Sequence, residues 1–324
     1  MPTPPVIRIL PEVQAALADA EAVVALESTI ISHGLPRPEN LRVAQEVEQV
    51  IRSQGAVPAT VAIVDGTVLV GLDEDALHRV ANDESVVKAS LRDLAWVCAQ
   101  GMSAATTVAA TSHIAQLVGI EVFATGGLGG IHRGARETWD ESADLTALGT
   151  IPITVVCSGV KSILDVPATL ERLETLNVAV TGYGTSEFPG FYLSTTGQPL
   201  TARADSPDQI AQVITTRRAL SVSSALVVAN PLPESEQVDP DLHERVLAEG
   251  MALADRKRVV GKDVTPFLLD YFHRATGGVS LLANERIILR NAELAARIAV
   301  AVSEDAKQNV PPLLTLTDIA KSFS

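Results

Sequence analysis

The chain is poor in aromatic residues and cysteine, and it lacks any long apolar run. Aromatic residues make up 3% of its 324 residues, and Cys98 and Cys157 are its two cysteines. Two thiols so far apart in sequence have no metal-ligand spacing and suit a reducing compartment better than a disulfide framework. No apolar run reaches about 18 residues, and residues 1–8 lack the pattern of a signal peptide. We therefore expect a cytoplasmic protein that does not span a membrane.

Basic residues are also scarce. The chain has 25 Lys and Arg against 39 Asp and Glu, which gives a net charge of −14. Because binding to nucleic-acid phosphates needs clustered Lys and Arg, we expect no nucleic-acid partner. A small phosphorylated ligand stays compatible with this charge, since one pocket can oppose the overall sign. Hydrophobic residues are abundant, at 47%, and can form a large core.

Short apolar runs alternate with amphipathic segments along the chain. The runs predicted as strands are residues 23–27, 58–64, 67–71, 120–124, 151–157, 178–182 and 225–229. The predicted helices are residues 38–52, 91–100, 107–117, 162–173 and 281–302. This alternation predicts an α/β fold: a mostly parallel central sheet with helices on both faces and a helical C-terminal region. We predict an N-terminal extension (residues 1–20), a single α/β domain (residues 21–305) and a C-terminal tail (residues 306–324).

A lysine stands where a lysine should be unfavourable. Lys161 follows the buried run 151–157, at the carboxyl end of a strand, where open α/β sheets place ligand sites. With Ser158 it matches the S-x-x-K pair of penicillin-recognising acylases, but the chain has no Ser-Asp-Asn or Lys-Thr-Gly companion. Alternatively, Lys161 is itself a nucleophile, because partial burial favours the neutral amine that attacks a sugar aldehyde. An ion pair with Asp165 is a third interpretation.

A glycine-rich loop follows the predicted strand 120–124. Its sequence is Ala-Thr-Gly-Gly-Leu-Gly-Gly-Ile-His-Arg-Gly, residues 124–134. The dinucleotide fingerprint fails because His132 stands where its third glycine belongs, and a P-loop fails because Ala135 and Arg136 follow. The loop can offer N–H groups to an anion or simply turn tightly, and both interpretations stay open.

Other polar residues stand at strand ends and in loops. Glu27 closes the first predicted strand, where it could be a general acid or a carboxylate that caps a turn. Asp140 and Asp144 share a face if their segment is helical, and such carboxylates suit Mg²⁺ or Mn²⁺, although the same spacing is common on solvated helices. Lys88 lies between apolar residues and hydroxyls, so it could hold a phosphate or extend along the surface.

These residues lie within long blocks that resemble the pseudouridine-5′-phosphate glycosidases. The resemblance covers residues 25–298 and rests on residues 25–36, 54–60, 123–135, 142–145, 155–165, 227–231 and 265–269. It implies that Glu27 is a proton donor, that Lys161 is the nucleophile and that Asp140 is a metal ligand. It further implies a substrate site formed by Lys88, Val108, Ser142, Ala143, Asp144 and His132. Ser158 stands where alanine is more frequent in the family, a small-for-small difference.

The resemblance implies reversible cleavage of pseudouridine 5′-phosphate to ribose 5-phosphate and uracil, in pseudouridine catabolism. The bond joins two carbons, and a carbon leaving group has no lone pair to protonate, so the paired-carboxylate route of ordinary glycosidases is poor. A covalent imine on Lys161 offers another route.

The same resemblance implies one Mn²⁺ per subunit, largely coordinated by water, and assembly as a homotrimer. It also implies a separate pseudouridine kinase that supplies the substrate. Two alternatives stay open. One is an indigoidine-synthase-like enzyme of the same fold that acts on a different substrate, and the other is a non-enzymatic binding module.

Overall fold

The computed structural model describes residues 6–259 and 264–308. Its strands are β1 (Ile7–Ile9), β2 (Val23–Leu26), β3 (Val57–Val64), β4 (Thr67–Val70), β5 (Val87–Ala89), β6 (Ala104–Thr106), β7 (Val122–Ala124), β8 (Ile131–His132), β9 (Thr154–Cys157), β10 (Leu164–Asp165), β11 (Ala179–Tyr183), β12 (Ala202–Ala204) and β13 (Leu226–Ala229).

The helices of the described residues are α1 (Pro11–Ala18), α2 (Glu39–Ser53), α3 (Glu74–Asn82), α4 (Leu94–Ala99), α5 (Val108–Val118), α6 (Ala135–Thr138), α7 (Ala143–Leu148), α8 (Val166–Thr175), α9 (Pro207–Ala219), α10 (Pro240–Lys257), α11 (Val264–Ala275) and α12 (Val279–Gln308). A wide π-type turn spans Ile30–Gly34, and short 3₁₀ turns span Leu91–Asp93 and Glu234–Glu236. None of these helices is long and apolar enough to cross a membrane.

The central sheet confirms the predicted mostly parallel arrangement. Within the described ranges it has 11 strands, in the order β1-β4-β3-β2-β7-β9-β13-β11-β12, with β6 also paired to β3 and β5 paired to β6. Every neighbouring pair from β3 to β12 in this order is parallel. Strands β4 and β6 are antiparallel to β3, and β3 and β4 form the predicted hairpin.

Helices cover both faces of the sheet, as predicted. Side chains of a strand point alternately to its two faces, so β2 places Val23 and Ala25 in one hydrophobic core and Val24 and Leu26 in the other. Helix α12 packs between α2 and α9 over the second core, and α5 packs on α7 over the first. Burial on both faces explains why the parallel strands are continuous apolar runs rather than alternating ones.

Three segments differ from the sequence-based prediction. Helix α8 begins at Val166 and not at residue 162, because β10 pairs with β8 first and Asp165 then caps the helix by accepting from Ala168 N at 3.1 Å. The predicted helix 91–100 divides into a 3₁₀ turn and α4. Asp140 and Asp144 do not share a helix, because Trp139 adopts a left-handed conformation (φ 58°) after α6.

The residues predicted as an N-terminal extension include β1 and α1. Strand β1 pairs in parallel with β4, and Val13 of α1 is fully buried in the first core. Residues 7–9 therefore belong to the main sheet and α1 packs against its first core, whereas residues 1–5 of the predicted extension lie outside the described residues. Helix α12 ends at Gln308, past the predicted boundary at residue 305, whereas residues 309–324 of the predicted tail lie outside the described residues.

The turn after β9 depends on a glycine, and a substitution tests this. Gly159 has φ 83°, and a Cβ there would overlap the carbonyl oxygen of Pro189. We expect Gly159→Ala to lower the free energy of unfolding by more than Gly119→Ala. Gly119 has φ 85° with no atom within 4 Å of such a Cβ, so it bears only the left-handed backbone cost of about 1–2 kcal/mol. Thermal melts of both variants measure the difference, and equal losses would contradict the steric argument.

Candidate active site

A cavity opens at the edge of the sheet where its parallel strands end. Glu27 directly follows β2, Gly126 and Gly127 follow β7, and Lys161 follows β9, so three neighbouring strands deliver them to one place. The described residues that line the cavity also include side chains from other elements: Thr29, Ile30, His33, Lys88, Phe191, Thr265, Pro266, Leu269 and Asn284. The structure thus brings together Glu27, Lys88 and Lys161, three of the residues predicted to act on the substrate.

Glu27 has the environment of a proton donor. Its side chain is buried, and its Oε1 accepts a short hydrogen bond from Thr125 Oγ1. Burial raises the pKa of Glu27 above the usual range of a carboxyl group, although the Lys161 ammonium and the Thr125 hydrogen bond act in the opposite direction. The raised pKa favours the protonated acid.

Lys161 lies in a loop that backbone hydrogen bonds fix to the glycine-rich loop. Lys161 N donates to Leu128 O at 3.2 Å, and Leu128 N donates to Gly159 O at 2.9 Å. The side chain is half-buried at the cavity wall, where its charge acts on Glu27 and His132. Asp165 is committed to the cap of α8, and the ion pairs of the described residues do not join it to Lys161, so the ion-pair interpretation is not supported.

Ser158 does not have the geometry of a nucleophile. It is 1% exposed, and its Oγ donates to Asn230 O at 2.8 Å. Its hydroxyl also contacts the Asn291 side chain, at 3.4 Å from Oδ1 and 3.3 Å from Nδ2. The acylase interpretation of the S-x-x-K match is therefore wrong, and Ser158 belongs to the buried support of the loop.

Asp144 connects the glycine-rich loop to two helices. Its carboxylate accepts from Gly129 N at 2.9 Å and from Ala109 N at 3.0 Å, while its own N–H donates to the capping Ser142 Oγ at 3.2 Å. A Cβ at Gly129 would overlap the Ser142 hydroxyl, so the loop needs glycine there. Val108, the first residue of α5, is buried beside this junction. The predicted substrate-binding residues 142–144 thus stand beside the loop, and one of its N–H groups is already occupied.

His132 and Asp140 lie next to each other across the short ribbon of β8. His132 N donates to Asp140 O at 3.0 Å, and His132 Nδ1 lies 4.0 Å from Asp140 Oδ2. Burial lowers the pKa of His132, so the imidazole is neutral near neutral pH. Among residues 6–259 and 264–308, no group of three or more His, Cys, Asp or Glu side chains could hold a metal ion. A metal at Asp140 would therefore take most of its ligands from water.

Sequence reasoning missed several residues of the site. Thr125 and His33 lie inside the blocks that carried the resemblance, but neither was assigned a role. Asn284 and Asn291 are buried on α12, where the sequence was interpreted only through its apolar period. Two asparagines seven residues apart on an apolar helix face are a usable signal, because a buried amide needs hydrogen-bond partners from another element.

Comparisons with known proteins identify the family. The family model described as indigoidine synthase A-like protein matches residues 12–301. A protein of Salinispora tropica named pseudouridine-5′-phosphate glycosidase is 60% identical over 291 residues, which cover 90% of both chains. A protein of the same name from Streptomyces griseus is 57% identical over 294 residues, 90% of this chain and 91% of the relative.

Two solved structures share the fold. One is the prealnumycin C-glycosynthase AlnA in complex with ribulose 5-phosphate, with a TM-score of 0.87 and 34% identity over 95% of this chain and 100% of the other. The second is an indigoidine synthase A-like protein of Thermotoga maritima, with a TM-score of 0.84 and 35% identity over 92% of this chain and 97% of the other. The chain therefore belongs to the indigoidine synthase A-like family, together with its relatives named pseudouridine-5′-phosphate glycosidase.

Proposed function

We propose that the protein reversibly cleaves the C–C glycosidic bond of pseudouridine 5′-phosphate, giving ribose 5-phosphate and uracil. One observation carries the proposal: a buried acid, Glu27, and a half-buried amine, Lys161, face the same cavity. Relatives at 57–60% identity carry the name of this activity, and the AlnA structure contains a pentulose phosphate. The reaction needs both groups, because its leaving atom is a carbon.

The first half of the reaction opens the ribose ring. Glu27 donates its proton to the ring oxygen, the C1′–O4′ bond breaks, and the Lys161 amine forms a bond to C1′. This step needs an acid that is protonated and an amine that is not. Burial, which raises the pKa of Glu27, supplies the first condition.

The second half breaks the carbon–carbon bond. The attacking nitrogen first loses one of its protons, and its lone pair then forms a C=N bond to C1′ while the C1′–C5 bonding electrons pass to uracil and a proton joins C5. Water then hydrolyses the imine, which releases ribose 5-phosphate and regenerates Lys161. Asp144 and His132 stand beside the cavity as candidates to carry the C5 proton. The neutral imidazole of His132 can both accept and donate.

Lys88 is proposed to bind the phosphate group. It lies on β5 at the cavity wall, half-buried, and its charge acts on Glu27, His33 and His132. On a protein with a net charge of −14, long-range steering works against an anionic substrate. Short charge-assisted hydrogen bonds at Lys88 must therefore provide the affinity.

A divalent metal fits the site only as a largely hydrated ion. Asp140 offers one carboxylate, and His132 Nδ1 lies 4.0 Å from its Oδ2. We propose that Asp140 holds Mn²⁺ mainly through water, as hard cations with few protein ligands do. Bound there, the ion would organise the polar segment around residues 132–144. Assembly into a homotrimer, a cytoplasmic location and a separate kinase stay predictions of the resemblance.

The first test is release of uracil from pseudouridine 5′-phosphate, with and without Mn²⁺, by the wild type and two Lys161 variants. Lys161→Ala removes the nucleophile, and Lys161→Arg replaces it with a guanidinium that supplies no neutral nitrogen. We expect both variants to fold and neither to turn over. Borohydride with ribose 5-phosphate should fix a reduced sugar adduct on wild-type Lys161, visible by mass spectrometry. Substantial activity in either variant would refute the covalent route.

Glu27→Gln removes the proton donor but keeps the side-chain shape. We expect kcat to fall on the order of 10²- to 10⁴-fold, because the ring oxygen loses its acid. In the wild type the rate should decline as pH rises through the raised pKa of Glu27, since only the protonated form acts. That alkaline limb should be absent from the variant. If Glu27→Gln has the kcat of the wild type, Glu27 is not the proton donor and its carboxylate has only a structural role.

Lys88→Ala tests the phosphate site. A charge-assisted contact is worth about 1.5–3 kcal/mol, so kcat/KM for pseudouridine 5′-phosphate should fall roughly 10- to 100-fold. Unphosphorylated pseudouridine should be a poor substrate of the wild type and lose much less in the variant. Arg92→Ala is the matched control, because the Arg92 side chain is 84% exposed and lies beside Asp93. Equal losses on both substrates would show that Lys88 does not bind the phosphate.

A further inference from the structure

One buried side chain of α12 joins the ends of three parallel strands. Asn291 is 0% exposed, and its Nδ2 donates to Thr125 O, after β7, at 2.8 Å and more weakly to Gly126 O at 3.3 Å. Its Oδ1 accepts from Asn230 Nδ2, after β13, at 3.0 Å. Ser158, after β9, contacts both atoms of the amide, at 3.3 Å and 3.4 Å.

A purely structural anchor would not need this amide. The buried residues nearest to it on α12, Ile288, Ala292 and Ala295, are apolar, and burial of an amide is unfavourable unless its donors and acceptor are all used. Here each polar atom of the amide has a partner in a loop that follows a strand. The amide thus fixes the relative positions of loops that apolar contacts would leave free to slide.

Two of these loops carry the groups assigned to catalysis. Thr125, held by Asn291 through its carbonyl oxygen, donates its hydroxyl to Glu27. Ser158, held by Asn291 through its hydroxyl, donates its N–H to Gly126 O at 3.0 Å and begins the turn that ends at Lys161. Asn291 therefore lies one residue away from the acid on one side and one short turn away from the amine on the other.

We propose that Asn291 is a positioning residue that holds the Glu27 acid and the Lys161 amine at a fixed separation in the cavity. The inference rests on the proposed function, because it assigns a role within that reaction. Asn291 itself does not line the cavity and touches no reacting atom in this arrangement.

The connection to Glu27 predicts a direction for its pKa. The Thr125 hydroxyl stabilises the carboxylate and so lowers the pKa that burial raises. The other groups that act on Glu27 are Lys161 and Lys88, which favour the carboxylate, and Asp144, which opposes it; His33 also lines the cavity. Loss of Asn291 frees Thr125 to move, which weakens its hydrogen bond and raises the pKa of Glu27 further.

The test compares Asn291→Leu, Thr125→Val and the double variant with the wild type. Asn291→Leu keeps the side-chain size and removes both polar atoms. We expect kcat for uracil release to fall on the order of 10- to 100-fold with KM little changed, because the bound substrate meets misplaced groups. The alkaline limb of the rate should move to higher pH in both single variants. It should move no further in the double variant, because both changes act through the same hydroxyl.

Ser224→Ala is the control for a merely structural loss. Ser224 is 4% exposed, donates to Asn177 O and lies just before β13, at the opposite edge of the sheet. The Ser224→Ala variant should have a lower melting temperature but an unchanged kcat and an unchanged alkaline limb of the pH–rate profile. The opposite outcome is that Asn291→Leu behaves like Ser224→Ala, with the kcat of the wild type and the alkaline limb of the pH–rate profile at the wild-type pH. In that case Asn291 is only a structural residue and the proposal is overturned.

Asn230→Ala keeps the test decisive if Asn291→Leu does not fold. This variant leaves Asn291 in place and removes the Nδ2 donor that orients its amide. It should reduce kcat and move the limb in the same direction, by a smaller factor. A wild-type kcat and an unmoved limb in a folded Asn230→Ala protein would overturn the proposal.

A substrate-free measurement separates this inference from the proposed function. The Glu27 carboxyl is titrated by ¹³C NMR, with its signal assigned by loss in Glu27→Gln. A higher pKa in Asn291→Leu than in the wild type supports the positioning role even if the wild type releases no uracil, a result that would refute only the reaction. An unchanged pKa alongside normal uracil release by the wild type refutes only the role of Asn291.

Discussion

The burial of one carboxyl group, Glu27, constrains the rest of the site. An ionised carboxylate is strongly disfavoured away from water, so a buried carboxyl stays protonated unless charges and hydrogen bonds oppose that. Behind Glu27 the wall is mostly apolar, formed by Leu26, Ile30 and Ala124 among others. In front of it stand Lys161 and the Thr125 hydroxyl, which favour the carboxylate. The group can therefore release a proton and recover it, as the proposed reaction requires of its acid.

The parallel strands explain how segments distant in sequence meet at the cavity. They also explain why side-chain hydrogen bonds are needed to hold the loops of the site together. Strands β2, β7, β9 and β13 end at one edge, so the residues that follow them are neighbours despite wide separation in sequence. The loops that follow the strands are not held together by the backbone hydrogen bonds that join neighbouring strands. Asn291 links three of them, and Asp144 links the glycine-rich loop to α5. The order of the cavity comes from these side-chain bridges as much as from the sheet.

The sequence was sufficient for features that depend on local pattern. Buried strands are apolar runs, so Lys161 was correctly placed at a strand end, and the hairpin of β3 and β4 followed from its Asp-Gly turn. It was insufficient where one residue overrides a pattern: the left-handed Trp139 ends α6 just before Asp140, so Asp140 lies outside α7, the helix that carries Asp144. Asn291 was missed for another reason: its partners come from loops that are more than 60 residues away, and periodicity on α12 carries no information about them.

A hydrogen bond to the loop that follows β9 also holds Phe191 in place at the cavity. In a chain with few aromatics, this ring lines the site from a residue with φ 63°, a conformation that costs a non-glycine residue about 1–3 kcal/mol. The conformation is held because Phe191 N donates to Ser158 O at 2.9 Å, while the ring packs on Tyr192 with centroids 4.7 Å apart. A Cβ on Gly127 would come within 2.7 Å of the ring, so glycine there and the strained Phe191 require each other. Ser158 thus contacts the loop of the amine, the α12 amide and the aromatic wall at once, and these contacts fix the positions of the three relative to one another.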